Sequence, residues 1–432
     1  MSEWKTIAEL ADTNPETLPA NSERDFAFQY IDLGSVDSGT VDWKGLQHLS
    51  FQKAPSRARR RCRPGDSIFG TVRPNLQSHG YVPSKKKELL VASTGFTVIR
   101  PHRGLADGRY LFFSLLGDDI LRQSVNAAVG SNYPAVTDRD VREFRLFAPP
   151  VDQQSKIADV LEALDTQIQK TEALITKLEK VKEGLLHDLL TRGIDENGQL
   201  RPRPEQAPEL YKESSLRLIP REWDTSKISD LSTKVTNGFV GVATPHYTES
   251  LSGVIYLFGN NIRKNRIDFR RHERVTQAFH KAQVKSQLKN GDMLTVQSGH
   301  IGTSAVYESS AGKANCHALI ITRFIPSQVN SRFASLYLNS TLGMLAQGRI
   351  FVGSTILHIN TSDLAKLIIP TPTLSEQERI VDHFFKIEDQ LQVETRHRDS
   401  LAKLKIGLMD DLLTGRVRVT PLLDQAQTTT PA

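Results

Sequence analysis

Residues 129–192 and 352–415 are one segment written twice, the second copy lying 223 positions after the first without a gap. The register is anchored by Gly130/Gly353, Ser131/Ser354, Asp140/Asp363, Pro149/Pro372, Gln154/Gln377, Ile157/Ile380, Lys180/Lys403 and Gly184/Gly407. It ends on Asp188-Leu189-Leu190-Thr191 against Asp411-Leu412-Leu413-Thr414. Upstream, Glu3-Trp4 is echoed by Glu222-Trp223, 219 positions later. A chain of 432 residues is too long for one ordinary domain. The repeat says where it divides, because each copy spans roughly half of it.

Inside the repeat the apolar positions step by four and three. They run Ile157, Leu161, Leu164, Ile168, Thr171, Ile175, Leu178, Lys182, Leu185, Leu189 in the first copy. The second keeps the register with Ile380, Phe384, Ile387, Leu391, Glu394, Arg398, Leu401, Lys405, Leu408, Leu412. Such alternation turns one helical face toward a partner helix, as a coiled coil requires. Asp152 and Ser375 read as N-caps, with Pro149-Pro150 and Pro372 blocking helix upstream. Arg192-Gly193 and Gly415-Arg416 supply the glycine and cation of a helix C-terminus. Each helix is then roughly 37 to 40 residues, or about 55–60 Å, long. Each seam could be covered by its own globular half or by a homodimer partner. Two near-equivalent seams in one chain favour pairing with each other.

The residues ahead of each helix mix short apolar runs with turn signals. Gly65-Asp66 leads into 67–72 and Gly291-Asp292 into 293–296, and both read as strands leaving tight turns. Further strands are expected at 89–92, 96–99 and 318–322, and helix at 110–121 and 332–345. Each half is thus an α+β body. The run Arg201-Pro202-Arg203-Pro204-Glu205-Gln206-Ala207-Pro208 reads as a proline-rich linker, and the tail from Thr420 to Ala432 as disordered.

Hydrophobic residues make up 38% and charged residues 24% of the chain, a globular composition without a spanning segment or export signal, so a cytoplasmic location is the default expectation. Cys62 and Cys316 stand in no metal or disulfide spacing and read as ordinary thiols. A net charge of +6 is weak evidence at this length, but its distribution is not even. Arg57, Arg59, Arg60, Arg61 and Arg63 crowd one stretch, and Lys85, Lys86 and Lys87 follow. The second half carries Arg263, Lys264, Arg266, Arg270, Arg271 and Arg274. Either cluster alone reads as a solvated loop; recurrence in both halves points to phosphate binding. No nucleotide-binding loop, dinucleotide turn, amino-methyltransferase tetrapeptide, zinc-protease helix or hydrolase elbow is present. The absences weigh against an enzyme, although loosely spaced acidic nuclease sites leave no such motif.

Two unlike α+β halves, each followed by a related long helix, with a tryptophan near each start, resemble the specificity subunit of type I restriction-modification systems. The most specific parts are the entries 149–157 and 372–380 and the exits 185–191 and 408–414. Ile194-Asp195-Glu196-Asn197-Gly198 and Ile219-Pro220-Arg221-Glu222-Trp223 are also similar to that family. The resemblance implies target recognition domains at 1–150 and 219–373, spacer helices at 151–193 and 374–416, a linker at 194–218 and a disordered tail at 417–432. It implies an antiparallel intramolecular coiled coil with pseudo-twofold symmetry. It also implies binding to double-stranded DNA and recruitment of two modification and two restriction subunits, with no membrane partner. S-adenosylmethionine, ATP and Mg²⁺ would serve those partners, leaving this chain without cofactor, metal or catalytic residue. One departure is that Trp4 opens the first domain almost at once.

On this reading each half reads one part of a split, asymmetric target, and helices of about 55–60 Å correspond to roughly 16–18 base pairs. Lysines and arginines of the clusters grip phosphates, and forked groups near turns read bases. The base-reading candidates are Arg73, Asn75 and Gln77, then Asn260, Asn261, Arg263, Gln297 and His300, with Asn132, Tyr133 and Thr355 beside the repeated Gly-Ser. Other readings are a specificity subunit of a methylation-only or type II-like system, a coiled-coil scaffold that does not bind DNA, and a cryptic nuclease.

Overall fold

A computed structural model describes residues 3–86, 88–351 and 357–419. The chain divides into two compact units, residues 1–173 with 395–432, and residues 174–394. The expected disorder of Thr420 to Ala432 falls outside the described residues.

In the first unit one antiparallel sheet has the order Ala11–Thr13, Phe96–Pro101, Ser67–Gly70, Gly80–Tyr81. A second sheet, Gln47–Ser50, Ala27–Ile31, Leu90–Ser93, Ala58–Cys62, contains a central parallel pair. Trp4–Thr6 pairs with Arg145–Phe147 and ties the start of the chain to the strand before the long helix. The second unit repeats the order. Ser232–Asn237, Leu319–Phe324, Met293–Val296 and Ser304–Val306 make the antiparallel sheet. Glu273–Val275, Val254–Leu257 and Ala314–Cys316 make the other, again with a parallel pair, and Asp224–Lys227 pairs with Ile368–Thr371.

The recurring Gly-Asp pairs are turns with a buried purpose. Gly65 and Gly291 take φ of 92° and 83°, which glycine adopts without steric cost. Asp66 (1% exposed) receives the backbone N–H of Arg63 and a two-point fork from Arg100 at 2.9 and 2.8 Å. Asp292 (0% exposed) receives the N–H of Lys289 and the same fork from Arg323, both bonds 2.7 Å. A buried carboxylate holds its charge only with such partners. The fork raises the pKa of Arg100 and of Arg323 above the ordinary arginine value, through their hydrogen bonds to Asp66 and Asp292.

The helices expected at 110–121 and 332–345 are each two. Gly108–Leu115 is followed by Asp118–Ala127, with Gly117 at the break. Ser331–Asn339 is followed by Thr341–Gly348, where the Ser340 hydroxyl accepts from the Gly343 N–H at 3.1 Å. Local capping here outcompetes continuation of the apolar period.

The long helices run Val151–Thr191 and Leu374–Leu413. Every seam position named above is buried or half-buried, including Thr171, Lys182, Glu394, Arg398 and Lys405. In the first unit Ile157 and Leu161 share a core with Leu412 and Leu413, while Lys405 lies 2.5 Å from Asp165. In the second, Leu189 and Leu190 share a core with Ile380 and Phe384, while Lys182 lies 2.9 Å from Glu388. Lys182 and Lys405 occupy one repeat position, as do Asp165 and Glu388. The two lysine interruptions of the heptad are therefore one ion pair formed twice.

The helix starts correct the expected caps. Helix begins at Val151, so Asp152 lies inside the first turn, and Gln154 N–H already bonds Pro150. Helix begins again at Leu374, and Thr373, not Ser375, accepts from the Glu376 N–H at 3.3 Å. The glutamine of each entry is a clamp. Gln154 accepts from Asp107 N–H and donates to the Leu105 and Pro149 carbonyls. Gln377 accepts from Asn330 N–H and donates to Gln328 and Pro372. Asp107 and Asn330 in turn cap Gly108–Leu115 and Ser331–Asn339. One side chain thus locks the short-helix entry to the long-helix entry.

The proline-rich stretch is not a free linker. Tyr211–Ser214 and Arg217–Pro220 form a hairpin, and Tyr211 donates to the Pro202 carbonyl at 2.6 Å. Arg201 reaches Glu376 at 2.5 Å and Glu222 at 2.8 Å. Glu376 is 2% exposed and also accepts from the Ile194 N–H, so its charge requires this arginine. No helix among the described residues is long and apolar enough to cross a membrane.

Candidate nucleic-acid interface

In both units the strand that follows the Gly-Asp turn ends in an irregular loop touching the beginning of the repeat. Val72 bridges Ala135 in the first unit and Ser298 bridges His358 in the second. Loops leave no backbone ladder to fill, so side chains on them are free to meet a partner.

In the first unit a continuous edge follows from backbone bonds. Thr94 N–H reaches the Arg57 carbonyl at 2.8 Å, Thr71 N–H reaches Gly95 at 2.9 Å, and Arg73 N–H reaches Pro134 at 2.7 Å. Arg57, Arg73, Asn75, Asn132 and Tyr133 lie exposed along it. The Arg73 guanidinium stacks 4.6 Å over the Tyr133 ring and donates to the Asn132 carbonyl at 3.2 Å. Gln77 is turned inward, its amide given to the Leu116 carbonyl at 2.9 Å. Beneath the loop, His79 is 1% exposed, lies stacked 4.1 Å from Phe69 and accepts from the Gly70 N–H at 3.1 Å. Burial pushes its pKa down to about 3, so the ring is neutral and its Nδ1 is free to accept.

The arginine stretch is less available than its sequence implies. Arg60 bonds Asp138 at 2.8 Å, Arg63 lies 2.6 Å from Glu16, and Arg61 lies 3.8 Å from the same Glu16. Arg59 stacks 5.1 Å over Phe51. Arg60 in particular is a buried-side structural cation, since Asp138 also receives the Thr97 hydroxyl. Arg63 N–H bonds Asp66, and Val82 accepts from Gly65 N–H, both before the strand Ser67–Gly70 begins. Arg63, Lys85 and Lys86 therefore lie off the opposite end of that strand from Arg73. Lys86 also stands 5.2 Å over Trp43 and 3.4 Å from Glu88. Lys87 lies outside the described residues.

In the second unit Asn260, Arg263 and His300 are exposed near one another, His300 Nε2 lying 3.1 Å from the Ile262 carbonyl. Gln297 is half-buried and donates to Asn237 at 2.9 Å. Asn261 is a turn clamp and not a reader. It is 3% exposed, accepts from Phe258 N–H, and donates to the Asp268 and Arg271 carbonyls. Lys264 and Arg266 flank the hairpin tip Ile262–Arg263/Arg266–Ile267. Lys264 lines a hollow of about 820 Å³ with Glu179, Glu183 and Glu388, and Arg266 lines another with Glu388 and Asp389. These cations thus face an acidic helix surface. Thr355 lies outside the described residues.

Sequence reasoning passed over the loop after Asn237. Val240 and Val242 are 69% and 75% exposed there, while Phe239 anchors the loop 5.0 Å from Phe279. The signal was an Asn-Gly turn ending the strand Ser232–Asn237. His317, bonded to Tyr256 at 3.1 Å beside this loop, is held below the usual histidine range by burial. Cys62 and Cys316 are free and buried, their thiols pushed up by desolvation. Among the described residues no group of three His, Cys, Asp or Glu is placed to hold a metal.

Comparison with known proteins adds an independent line. The chain is 23% identical over 434 residues to the putative type I restriction enzyme MjaX specificity subunit of Methanocaldococcus jannaschii, covering 96% of this chain and 93% of that one. The MjaVIII specificity subunit of the same organism is 22% identical over 339 residues, covering 77% and 75%. Its fold resembles the HsdS subunit from Thermoanaerobacter tengcongensis, with TM-score 0.50, 23% identity and coverage of 96% and 97%. It also resembles the type I restriction-modification S subunit from M. genitalium, with TM-score 0.57, 13% identity and 95% coverage of both chains. The family model described as type I restriction modification DNA specificity domain matches residues 62–180 and 220–403, more than half of the sequence. On that match, over both halves of the duplicated architecture, the chain belongs to the type I restriction-modification DNA specificity family.

Proposed function

We propose that this chain is the DNA-recognition subunit of a type I restriction-modification complex, each of its two α+β bodies reading one half of a split, asymmetric target. The observation that carries this reading is a repeated strand frame whose loops differ. Turn, ion-pair fork and glutamine clamp recur, while Arg73, Asn132 and Tyr133 on one edge have no counterpart in the Asn260, Arg263, His300 and valine loop of the other. Parts common to the two units hold the reading surfaces and unlike parts select the bases.

The two long helices act, in this account, as an antiparallel intramolecular coiled coil with pseudo-twofold symmetry. Its supports are the heptad register and the duplicated ion pair of Lys182 with Glu388 and Lys405 with Asp165. The helices set the unread gap and offer two matching docking surfaces to modification subunits. Methyl transfer from S-adenosylmethionine and ATP- and Mg²⁺-dependent cleavage fall to the modification and restriction subunits. The recognition domains are residues 1–150 and 219–373, and the place of action is the cytoplasm.

Single-molecule methylome sequencing of cells with and without this chain tests the reading. A bipartite, asymmetric methylated motif should be present only with it. Methylation that is unchanged without the chain, or a continuous symmetric motif, would contradict the proposal. A pure scaffold would instead show no salt-dependent binding of this chain to duplex DNA.

A further inference from the structure

The strand register makes one residue of the first unit directly comparable with one of the second. Gly70 faces Phe96 as Val296 faces Leu319, and two residues on Val72 bridges Ala135 as Ser298 bridges His358. Arg73 and Gly299 therefore occupy the same position. Both have left-handed backbone, with φ of 50° and 85°. Glycine takes that conformation freely, whereas an arginine Cβ meets steric opposition there. A Cβ built on Gly299 would touch nothing within 4 Å, so backbone conformation and not crowding favours glycine. An arginine held at such a position is backbone strain retained for a side chain that must stand at that spot.

The side chain is also fixed in direction. The ring of Tyr133, itself 71% exposed, lies 4.6 Å from the guanidinium carbon, and the Asn132 carbonyl takes a hydrogen of Nη2. Arg60, Arg61 and Arg63 stand beside Asp138 or Glu16; Arg73 has no carboxylate partner among the described residues. We propose that Arg73 is a pre-positioned guanine reader, its fork donating to O6 and N7 of one guanine in the major groove of the first half-site. The inference rests on the DNA-reading function above. A rigid planar fork matches the two acceptors of a guanine edge, whereas a phosphate grip requires no such fixed plane. The second unit, with Gly299, reads its half-site by other groups.

The test uses the full-length chain, wild type and Arg73→Gly, in selection from a pool of random duplexes, followed by titration with 7-deazaguanine placed singly in the selected sequence. The variant should lose preference for guanine at one position of one half-site by about tenfold or more. The other half-site should be unchanged and the thermal midpoint no lower, because glycine suits the backbone. 7-Deazaguanine at that position should weaken the wild type and leave the variant unaffected. Equal weakening on all sequences would assign Arg73 to phosphate and overturn the inference, as would an unaltered selected sequence. A wild-type chain that selects no sequence at all would remove the DNA-reading function, and this inference with it.

Discussion

At the scale of single residues, the structure uses charge inside and hydrogen-bond geometry at the edge. Asp66 and Asp292 are the clearest case of the first, each wholly enclosed and held by an arginine fork. Replacing Asp292 by alanine leaves the part-buried Arg323 without its anion, which costs about 3–5 kcal/mol, whereas Arg100 without Asp66 keeps Glu16 at 2.5 Å and should lose less. Urea unfolding should show that loss for Asp292→Ala and a smaller one for Asp66→Ala, while an exposed control such as Glu196→Ala stays near zero. His79 gives the pH dependence. Its folded pKa lies near 3, below the ordinary 6.5, so the unfolded chain binds the extra proton between those values. Its contribution is complete above pH 6.5 and is lost as pH falls, at up to about 1.4 kcal/mol per pH unit. In His79→Gln, which keeps an acceptor for Gly70, stability should fall less steeply from about pH 6.5 to 4.5 than in wild type. Equal slopes would show that the ring is not held neutral.

At the scale of elements, the long helices are specified twice, by apolar seam and by paired charge. Leu161, fully buried at the seam, should cost about 2–5 kcal/mol on truncation to alanine. Gln377→Leu strands the Asn330 N–H and two carbonyls at the helix entry and should destabilise by at least about 2 kcal/mol, read by chemical denaturation. Lengthening both helices by one heptad adds about 10 Å, or about three base pairs of gap. Those steps also turn the second half-site by about 0.3 of a helical turn, so affinity should drop while both half-sites keep their sequence. An unchanged gap, read from a selected-duplex pool, would sink the spacer role. The heptad was legible because period is a property of sequence alone. The helix breaks at Gly117 and Ser340 were not, since a capping hydroxyl or glycine competes with an apolar pattern that runs through it.

At the scale of the whole molecule, duplication was the legible part and side-chain commitment the hidden one. Position in sequence drew Arg60, Asn261 and Gln77 together with Arg73 as contacts. Long-range partners separate them: Asp138 is 78 residues from Arg60, and Leu116 is 39 residues from Gln77. Arg201 likewise reads as part of a flexible run until Glu376, 175 residues away, appears beside it. No local spacing encodes such pairings. What survives from the sequence is the division of labour between like and unlike parts. The most direct measurement exchanges residues 1–148 for those of a relative with a different target and sequences the methylome of the resulting cells. The account predicts that one half-site changes to the relative's, while the other half-site and the gap remain. A change of both half-sites together, or of neither, would contradict it.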